Sequence, residues 1–416
     1  MVREMKETKY DVVVIGGGAA GTMAAGKAAQ QGKHVLLLER NTRLGEKLRI
    51  SGGGRCNITN AEPDERKLLS HYGPAEKFLH SAFSQFGMRD TFSFFESRSL
   101  SLKVETNNRA FPESEKASDV VRVLEEYLKE GKVEVRTETG VDNIETKNGR
   151  IERVVAGGKT FSADSYILAT GGLSHPETGS TGDGFSWLRS LRHMIEDPTP
   201  TIVPLKVKEV WVKKLSGVSA EAKLTFFVNG KKKFSKVGPM LFTHFGISGP
   251  TVLNSSSKVA DLLQEGEVRV RIDLYPKLDL GVLDKRIAGV FDTGKNRLLR
   301  NAFKEIAPPG ASEALLSLLP SIDPEKKVHS VLKEQRRMLA ELLKNLELTI
   351  TGLLGFERAV VADGGLVLNE VDMRTMRSKK FENLFVTGDL LHIPRPSGGY
   401  SLQLCWTTGY VAGSNA

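Results

Sequence analysis

The order of apolar and polar stretches over residues 10–40 predicts a βαβ unit. The run Val12–Ile15 is short, apolar and rich in β-branched residues, as expected of a buried strand. A glycine-rich turn and an alanine-rich helical stretch follow, and then the second apolar run Val35–Leu38, after which Glu39 stands. This alternation is typical of two parallel strands joined by a helix.

The next segments change from helical to strand periodicity. Residues 116–129 carry a helical pattern, and short strands then meet at Asn148-Gly149 and Gly157-Gly158, dipeptides that favour tight hairpin turns. These features predict an antiparallel meander that leads into one further parallel strand, Tyr166–Ala169.

The second half of the chain predicts two insertions before the first fold resumes. Residues 202–274 remain strand-rich, whereas residues 278–346 have a helical period that is clearest over 314–319 and 328–346. Strands return at 366–368 and 384–386, and a last helix is expected to begin near Gly398 or Gly399. The predicted class is α/β: a Rossmann-type domain (1–195 and 357–416), a β-barrel-like domain (196–276 and 347–356) and a helical insert domain (277–346).

The turn after the first strand has the spacing of a dinucleotide fingerprint. Gly16, Gly18 and Gly21 form GxGxxG between a predicted strand and a predicted helix, and Glu39 closes the next strand. The first glycine permits the tight turn, the second lets the backbone approach a pyrophosphate, and the third lets the helix pack on the strand. Glu39 is expected to accept hydrogen bonds from ribose hydroxyls.

The fingerprint alone does not separate FAD from NAD, so other segments decide. ATGG (169–172) and LFVTGD (384–389) each end a predicted strand, and IPRPSGGYSLQ precedes the last helix. A carboxylate after a strand suits sugar-like hydroxyls, and glycines at a helix start offer amides to an electronegative atom. These features favour a ribityl chain and a flavin ring, so the expected cofactor is FAD.

Four motifs carry a family resemblance. GEKLRISGGGRCNITN (45–60), ATGGLSHPETGSTGDG (169–184), MLFTHFGISGP (240–250) and the ending TGD…SGGYSLQ…GYVAG resemble those of the YhiN/BaiN-like bacterial flavoproteins. These proteins are often labelled NAD(FAD)-utilising dehydrogenases or aminoacetone oxidase-like proteins. The resemblance covers nearly the whole chain and implies an FAD domain of the glutathione-reductase type, interrupted by a barrel-like domain and a helical insert.

The resemblance also implies a set of flavin-binding residues, of which Val141 would contact the adenine through its backbone. Mapped onto this sequence, the set is Gly16, Gly18, Ala19, Ala20, Gly21, Glu39, Arg40, Lys47, Ser51, Gly52, Gly53, Gly54, Arg55, Asn57, Val141, Ala169, Thr170, Gly171, Gly388, Asp389, Ser397, Gly398, Gly399 and Tyr400.

One segment departs from the family pattern. Where relatives tend to have an acidic, glycine-containing stretch, this chain has LLHIPRPSGG, which places His392 and Arg395 near the expected flavin. A cationic lining would favour an acidic substrate, whereas an Arg395 directed to solvent would leave substrate choice unaffected.

The chemistry expected of the protein is placement and proton transfer, because the flavin N5 itself exchanges hydride. The dipole of the last helix is expected to favour reduced flavin. His244, Tyr400 and His392 are the candidate catalytic residues, with His175 a further one, and a structural role is the alternative for each. Cys56 has no CxxC partner, so a packing role is favoured over a redox role.

We therefore expect an FAD-dependent oxidoreductase that transfers hydride between flavin N5 and a small or medium organic substrate. Enone-type reduction and amine-type oxidation remain open, as does NAD(P)H as a transient donor. The alternatives from other classes are a flavin-dependent tRNA-modifying enzyme and a non-catalytic flavin-binding regulatory protein.

Composition and charge limit the kinds of partner and the cell compartment that we expect for this protein. The chain has 59 Lys and Arg against 50 Asp and Glu, but these are scattered, and the cluster Lys231–Lys233 follows an Asn-Gly turn, so nucleic acid is not expected. No segment has the length of a membrane span or the pattern of an export signal, and two cysteines suit a reducing compartment, so we expect cytoplasmic residence. No metal-binding motif occurs, and the oligomeric state is left open.

Overall fold

The computed structural model describes residues 9–416, which belong to two compact units. The first unit contains the chain up to Pro200 together with Val360–Ala416, and the second contains Thr201–Ala359. Each has its own hydrophobic core. The first unit is therefore assembled from both ends of the sequence.

The strands within residues 9–416 are β1 (Lys9–Ile15), β2 (Val35–Leu38), β3 (Thr59–Asn60), β4 (Leu102–Glu105), β5 (Arg109–Pro112), β6 (Glu134–Arg136), β7 (Val141–Lys147), β8 (Arg150–Ala156), β9 (Lys159–Leu168), β10 (Ile195–Thr201), β11 (Leu205–Val207), β12 (Ser219–Val228), β13 (Lys231–Thr243), β14 (Gly246–Ser248), β15 (Val268–Asp273), β16 (Leu346–Leu353), β17 (Val361–Leu366) and β18 (Leu384–Val386). The α-helices are α1 (Ala19–Gln30), α2 (Glu46–Ile50), α3 (Glu65–Ser70), α4 (Glu76–Gln85), α5 (Met88–Glu96), α6 (Ala117–Glu130), α7 (Asp183–Ser190), α8 (Pro250–Leu253), α9 (Ser256–Glu265), α10 (Leu280–Thr293), α11 (Leu299–Ala302), α12 (Ser312–Leu316), α13 (Lys333–Lys344) and α14 (Tyr400–Asn415).

The main sheet of the first unit has a parallel part and an antiparallel part. Strands β6, β2, β1, β9 and β18 are neighbours and run parallel. The predicted strand Tyr166–Ala169 is not a separate element, because β9 is one strand that pairs antiparallel with β8 at its start and parallel with β1 afterwards. The predicted hairpin turns have the expected positive φ at Asn148-Gly149 and Gly157-Gly158.

Helices α1 and α14 bring the two ends of the sequence together. A Cβ atom on Gly409 would lie 2.4 Å from the carbonyl oxygen of Ala20, and one on Gly413 would lie 2.3 Å from that of Ala24. Only glycine allows the two helices to approach this closely. The turn that precedes α1 is thereby fixed against an element from the C-terminal segment.

The second unit is built around a closed barrel of the strands β11, β14, β13, β12, β15 and β16. The helices between β15 and β16 share one hydrophobic core with this barrel, through residues such as Leu283, Phe303 and Leu343. The expected α/β fold with an inserted barrel and helical elements is confirmed. The three-domain boundaries remain a prediction, because the barrel and the helices form a single compact unit.

Several elements of the structure are shorter than the sequence predicts. The helix expected over 328–346 begins only at Lys333, since Val328–Ser330 forms a short 3-10 turn, and Leu346 already belongs to a strand. The helix expected over 314–319 is α12, which ends at Leu316, and the strand expected over 366–368 ends at Leu366. None of the helices within residues 9–416 combines the length and the apolar character needed to cross a membrane.

Candidate functional site

Four parallel strands end at the same level in the first unit. The register pairs Ile15 with Leu38 and with Leu168, and pairs Leu168 with Val386. In open α/β sheets, ligands bind at the carboxyl ends of the strands. The segments that follow these four residues are those in which the sequence places the fingerprint, Glu39, ATGG and the Gly-Asp pair.

The three fingerprint glycines have three different surroundings. Gly16 adopts φ +106° in the turn after β1, a conformation that favours glycine. A Cβ on Gly21 would lie 1.8 Å from the carbonyl oxygen of Gly16, so the helix packs directly on the turn. A Cβ on Gly18 would meet no protein atom within 4 Å. The open side at Gly18, at the start of α1, is where a pyrophosphate can approach the backbone.

Glu39 is held in place at the end of β2. Its side chain is buried, and its two carboxylate oxygens accept hydrogen bonds from the backbone N–H groups of Gly17 at 2.6 Å and Asn41 at 2.8 Å. A carboxylate oxygen can accept more than one hydrogen bond, so this arrangement still accommodates ribose hydroxyls. The neighbouring Arg40 pairs with Asp183 at 2.8 Å.

The loop after α2 exposes backbone rather than side chains. Gly52, Gly53 and Gly54 all have positive φ, and a Cβ on Gly53 would meet nothing within 4 Å. Ser51 donates to the carbonyl of Leu48 at 2.8 Å. A run of positive-φ glycines leaves backbone amides accessible to an anionic or polar group.

Lys47 and Arg55 flank this loop and already have protein partners. The ammonium of Lys47 donates to Ser174 Oγ at 3.1 Å, and burial lowers the pKa of Lys47 against the opposing effect of the Asp389 carboxylate. Arg55 pairs with Glu105 at 2.9 Å and lies over the ring of Phe111. Their roles as flavin ligands remain predictions.

The loop before α14 is fixed by side chains from the N-terminal part of the chain. The Asn57 amide oxygen accepts from the Gly399 N–H at 3.0 Å, and Asn60 donates to the carbonyl of Gly398 at 3.0 Å. Tyr72 donates to the Tyr400 carbonyl at 2.9 Å. Only Asn57 was predicted as a site residue; Asn60 lies in the quoted motif, and Tyr72 has no local signal that marks it.

The segment LLHIPRPSGG, which departs from the family pattern, contributes Arg395 to a buried ion pair. The guanidinium of Arg395 bonds to the Asp389 carboxylate, to Ser401 Oγ at 2.8 Å and to the carbonyl of Ile393 at 2.5 Å. The Arg395 side chain is only 1% exposed. The alternative that placed Arg395 in solvent is therefore wrong, and its charge is compensated by a predicted flavin ligand.

Of the candidate catalytic residues, Tyr400 and His392 lie beside the last loop. Tyr400 is buried, its ring lies 4.8 Å from that of His71, and burial raises its pKa to about 12. Its hydroxyl makes no hydrogen bond to other residues in 9–416. His392 is half-buried, and its backbone N–H donates to the carbonyl of Leu366.

The other two histidines have different surroundings. His175 pairs with Glu177 at 2.8 Å. His244 belongs to the second unit, where it is exposed in the turn between β13 and β14 and contacts the ring of Phe245. A catalytic role for His244 remains a prediction.

Two buried polar atoms in this region support a bound ligand. Thr170 Oγ1, two residues after the end of β9, and His392 Nδ1 have no hydrogen-bond partner among the described residues. Buried polar atoms are normally satisfied, so these two fit a polar ligand that supplies the missing partners. The neighbouring Ala169 and Gly171 follow the same strand, while Val141 is buried at the start of β7. The residues present therefore fit FAD.

Both cysteines are buried thiols without a disulfide. Burial raises the pKa of Cys56 to about 12, and burial together with the Asp389 carboxylate raises that of Cys405. Neither is a thiolate at neutral pH, which supports a packing role for Cys56.

The family model described as HI0933-like protein Rossmann domain matches residues 10–415. The chain belongs to this family. The HI0933-like chain is 33% identical over 407 residues to the 3-dehydro-bile acid delta(4,6)-reductase of Clostridium scindens, covering 97% of this chain and 98% of that protein. It is 28% identical over 408 residues to the ribosomal RNA dihydrouridine synthase of Escherichia coli, covering 97% of each.

Among solved structures, the HI0933-like chain resembles 3-ketosteroid-Δ4-(5α)-dehydrogenase of Rhodococcus jostii. The TM-score is 0.56 at 16% identity, and the match covers 100% of this chain and 98% of that one. This likeness concerns the fold. The family resemblance inferred from the motifs is confirmed, and the protein is an FAD-dependent oxidoreductase.

Proposed function

We propose that this oxidoreductase reduces a carbon–carbon double bond conjugated to a carbonyl group. The observation that carries the proposal is Tyr400, a buried phenol with a pKa of about 12 and an unpartnered hydroxyl, next to the predicted flavin-binding loop. Such a group is protonated at neutral pH and can act as a general acid. Reduction of an enone needs a proton donor, whereas oxidation of an amine needs an acceptor.

The curated relatives support the same reaction class. A Δ4 bond of a 3-dehydro-bile acid and the double bond lost when uridine becomes dihydrouridine are both adjacent to a carbonyl carbon. The two substrates differ greatly in size and charge. What they share is an electron-poor double bond, which accepts hydride at one carbon and a proton at the other.

In this proposal, bound FAD supplies the hydride. The fingerprint glycines and Glu39 would hold the dinucleotide part, and the open backbone of Gly53 would supply amides to the ring. The loop of Gly398 and Gly399, which Asn57 and Asn60 hold in place, would line the ring. Tyr400 donates the proton to the carbon next to the carbonyl, and His392 offers its unmatched Nδ1 as a hydrogen-bond partner. NAD(P)H is the proposed electron donor, and only one dinucleotide fingerprint is present, so it would act transiently.

Anaerobic stopped-flow absorbance of the holoprotein tests this reaction. Flavin reduced with NADH or NADPH, or by light, is mixed with cyclohexenone and with the saturated cyclohexanone, and oxidised flavin is mixed with aminoacetone. We expect only cyclohexenone to reoxidise the flavin. The proposal is wrong if the enone leaves reduced flavin unchanged while aminoacetone bleaches oxidised flavin.

The Tyr400→Phe variant tests the proton donor. We expect the rate of reoxidation by cyclohexenone to fall by about 100-fold or more, with the FAD content and the rate of flavin reduction unchanged. Tyr127→Phe is the matched control, because burial also raises the Tyr127 pKa to about 12 but that residue lies on α6. Equal rates in both variants would remove Tyr400 from the mechanism.

A further inference from the structure

Under the proposed function, the proton that Tyr400 gives to the substrate must be replaced in every catalytic cycle. Burial raises the pKa of Tyr400 to about 12, so the hydroxyl holds its proton before the reaction and leaves a strongly basic oxygen after it. The side chain is buried, and its hydroxyl makes no hydrogen bond to other residues in 9–416. Return of the proton therefore needs a group that reaches both Tyr400 and solvent.

His71 lies between the Tyr400 ring and solvent. It follows α3 directly and is exposed, and its ring centroid lies 4.8 Å from that of Tyr400, with 47° between the ring planes. Histidine is the side chain that ordinarily gains and loses a proton near neutral pH. The His71 side chain forms no hydrogen bond or salt bridge within the part of the chain that the structure describes. Its ring nitrogens are therefore free to exchange protons.

Two other titratable groups face Tyr400, and neither can return the proton. The ring of Tyr72 meets the Tyr400 ring edge-on at 6.0 Å, but its hydroxyl donates to the Tyr400 carbonyl, and burial raises the pKa of Tyr72 well above its ordinary value. The Glu62 carboxylate, which adds to the effect of burial on the Tyr400 pKa, accepts from the Asp64 N–H at 3.2 Å. An ionised carboxylate has no proton to give. Its negative charge does favour the return of a proton to Tyr400.

The position of His71 beside Tyr400 is fixed by backbone and by its neighbour. Tyr72 is buried, and its hydroxyl donates to the carbonyl of Tyr400 at 2.9 Å. The Tyr72 ring packs edge-on against that of Phe83 on α4 at 5.6 Å, and the His71 N–H donates to the carbonyl of Leu68 at 3.3 Å. These contacts hold residues 71–72 against the start of α14. The His71 side chain can therefore be replaced without moving Tyr400.

We propose that His71 is the relay residue that returns a proton from solvent to Tyr400. This rests on the proposed function, in which Tyr400 is the proton donor. In that reaction the O–H bond of Tyr400 breaks as a C–H bond forms next to the carbonyl, while reduced flavin supplies the hydride and its two electrons. The tyrosinate oxygen then takes a proton from the His71 imidazolium across a bridging water molecule. His71 takes its next proton from solvent, and the relay itself involves no change of oxidation state.

The His71→Phe variant separates the first turnover from later ones, because phenylalanine keeps a ring against Tyr400 but carries no proton. Prereduced holoprotein mixed with an equimolar amount of cyclohexenone should reoxidise at the wild-type rate, since Tyr400 is protonated at the start. Steady-state turnover, in which two reduced methyl viologen cations supply the electrons of each cycle, should fall by about tenfold or more. Added imidazole should restore most of the lost rate, because it can carry the proton in place of the side chain.

His80→Phe is the matched control. His80 lies on α4, is exposed, and forms no hydrogen bond or salt bridge among the described residues, so its replacement should change neither rate. The FAD content and the Tm should equal those of the wild type in both variants, and His71→Gln repeats the test without a ring. Steady-state rates that are equal in His71→Phe and His80→Phe would overturn the proposal. So would a loss that appears already in the first turnover and that imidazole does not restore.

A second measurement needs no substrate. In oxidised holoprotein labelled with 3-fluorotyrosine, the fluorine NMR signal that is missing from Tyr400→Phe belongs to residue 400. This signal should shift between about pH 5 and pH 8, where a histidine ordinarily changes charge, and His71→Phe should remove most of the shift. Glu62→Gln should keep it. A shift that is the same in the wild type and in His71→Phe would contradict the relay.

The relay and the proposed reaction fail in different experiments. If cyclohexenone reoxidises the flavin but His71→Phe turns over as fast as His80→Phe, the reaction stands and the relay is wrong. If cyclohexenone leaves the flavin reduced while the fluorine signal of residue 400 depends on His71, the reaction is wrong and the coupling between His71 and Tyr400 stands.

Discussion

Gly18 and Gly21 are three residues apart, yet a methyl group would meet opposite surroundings at the two positions. At Gly21 it would collide with the protein itself, and at Gly18 it would enter open space. A requirement for glycine that the protein's own packing does not explain points to a ligand. Gly21 is therefore needed for folding, whereas Gly18 is expected to be needed for binding.

The Gly18→Ala variant should fold normally and lose FAD. The φ of Gly18 is −82°, which alanine adopts without strain, but the added methyl group would occupy the side from which the pyrophosphate approaches. We expect FAD affinity to fall by at least about 100-fold, or about 2.7 kcal/mol, measured by fluorescence titration of the apoprotein. The Tm of the apoprotein should stay unchanged.

Gly289→Ala is the control for this substitution. Gly289 lies inside α10 with nothing within 4 Å of a Cβ, so alanine should raise stability by roughly 0.5–1 kcal/mol. It should not affect FAD. Normal FAD affinity in Gly18→Ala would show that the first turn does not hold the cofactor.

Arg395 is expected to set the charge around the flavin. Arg395→Met leaves the Asp389 carboxylate without its buried partner, and the loss of a positive charge should disfavour the electron-rich reduced flavin. We expect the midpoint potential to fall by tens of millivolts, about 30 mV for each 1.4 kcal/mol, measured by spectroelectrochemistry. Arg395→Lys keeps the positive charge, so its midpoint potential should fall less. An unchanged potential in both variants would show that Arg395 does not set the charge around the flavin.

At the scale of elements, long-range hydrogen bonds connect segments that are distant in sequence. The side-chain oxygen of Gln403 on α14 accepts from Thr59 at 2.6 Å and from Thr91 at 3.0 Å, all buried. These bonds fix the start of α14 against β3 and α5. In the second unit, the ion pair between Asp284 and Arg336 joins the helices α10 and α13.

The Asp284→Asn variant should weaken the contact between α10 and α13. Arg336 donates to both carboxylate oxygens, at 2.8 and 3.0 Å, and chiefly these hydrogen bonds lower the pKa of Asp284 from its ordinary value of 3.8. Because the folded-state pKa is depressed, the stabilisation is present at pH 7 and is lost as pH falls through that pKa. At pH 7 we expect a loss of about 1 kcal/mol.

Thermal unfolding at pH 7 and at pH 3 measures this effect. The Tm of the variant should lie below that of the wild type by about 2–4 °C at pH 7, and the difference should shrink at pH 3. Glu341→Gln removes the exposed pair with Arg337 on the same helix and should have little effect. A difference that grows on acidification would refute this account.

At the scale of the whole molecule, the chain enters and leaves each unit through two strands that pair with each other. In the barrel unit, β11 and β16 are paired neighbours, and the Leu354 N–H donates to the carbonyl of Pro204 at 3.1 Å. In the first unit, β10 and β17 pair with each other. Each unit therefore receives and releases the chain at adjacent strands.

Removal of the barrel unit should leave an FAD-binding protein. If residues 203–359 are replaced by a short Gly-Ser linker, β10 and β17 remain, and every predicted flavin ligand is retained. We expect a folded, yellow protein with an FAD Kd within about tenfold of the intact chain, since each unit has its own core. A folded but colourless product would show that the barrel unit contributes to the flavin site.

The sequence alone determined the elements around the cofactor. Strand periodicity, the glycine spacing and Glu39 are local signals, because backbone conformation and the burial of one face depend on neighbouring residues. The same is true of the hairpin turns and of the start of the last helix. The closed barrel could be expected only in outline, since strand order depends on pairings between distant segments.

Only the tertiary structure decided which side chains meet. The Arg395–Asp389 pair, the support of the last loop by Asn60 and Tyr72, and the unmatched atoms of Thr170 and His392 have no local signal. Local patterns specify elements, whereas contacts, burial and charge depend on how distant segments pack together.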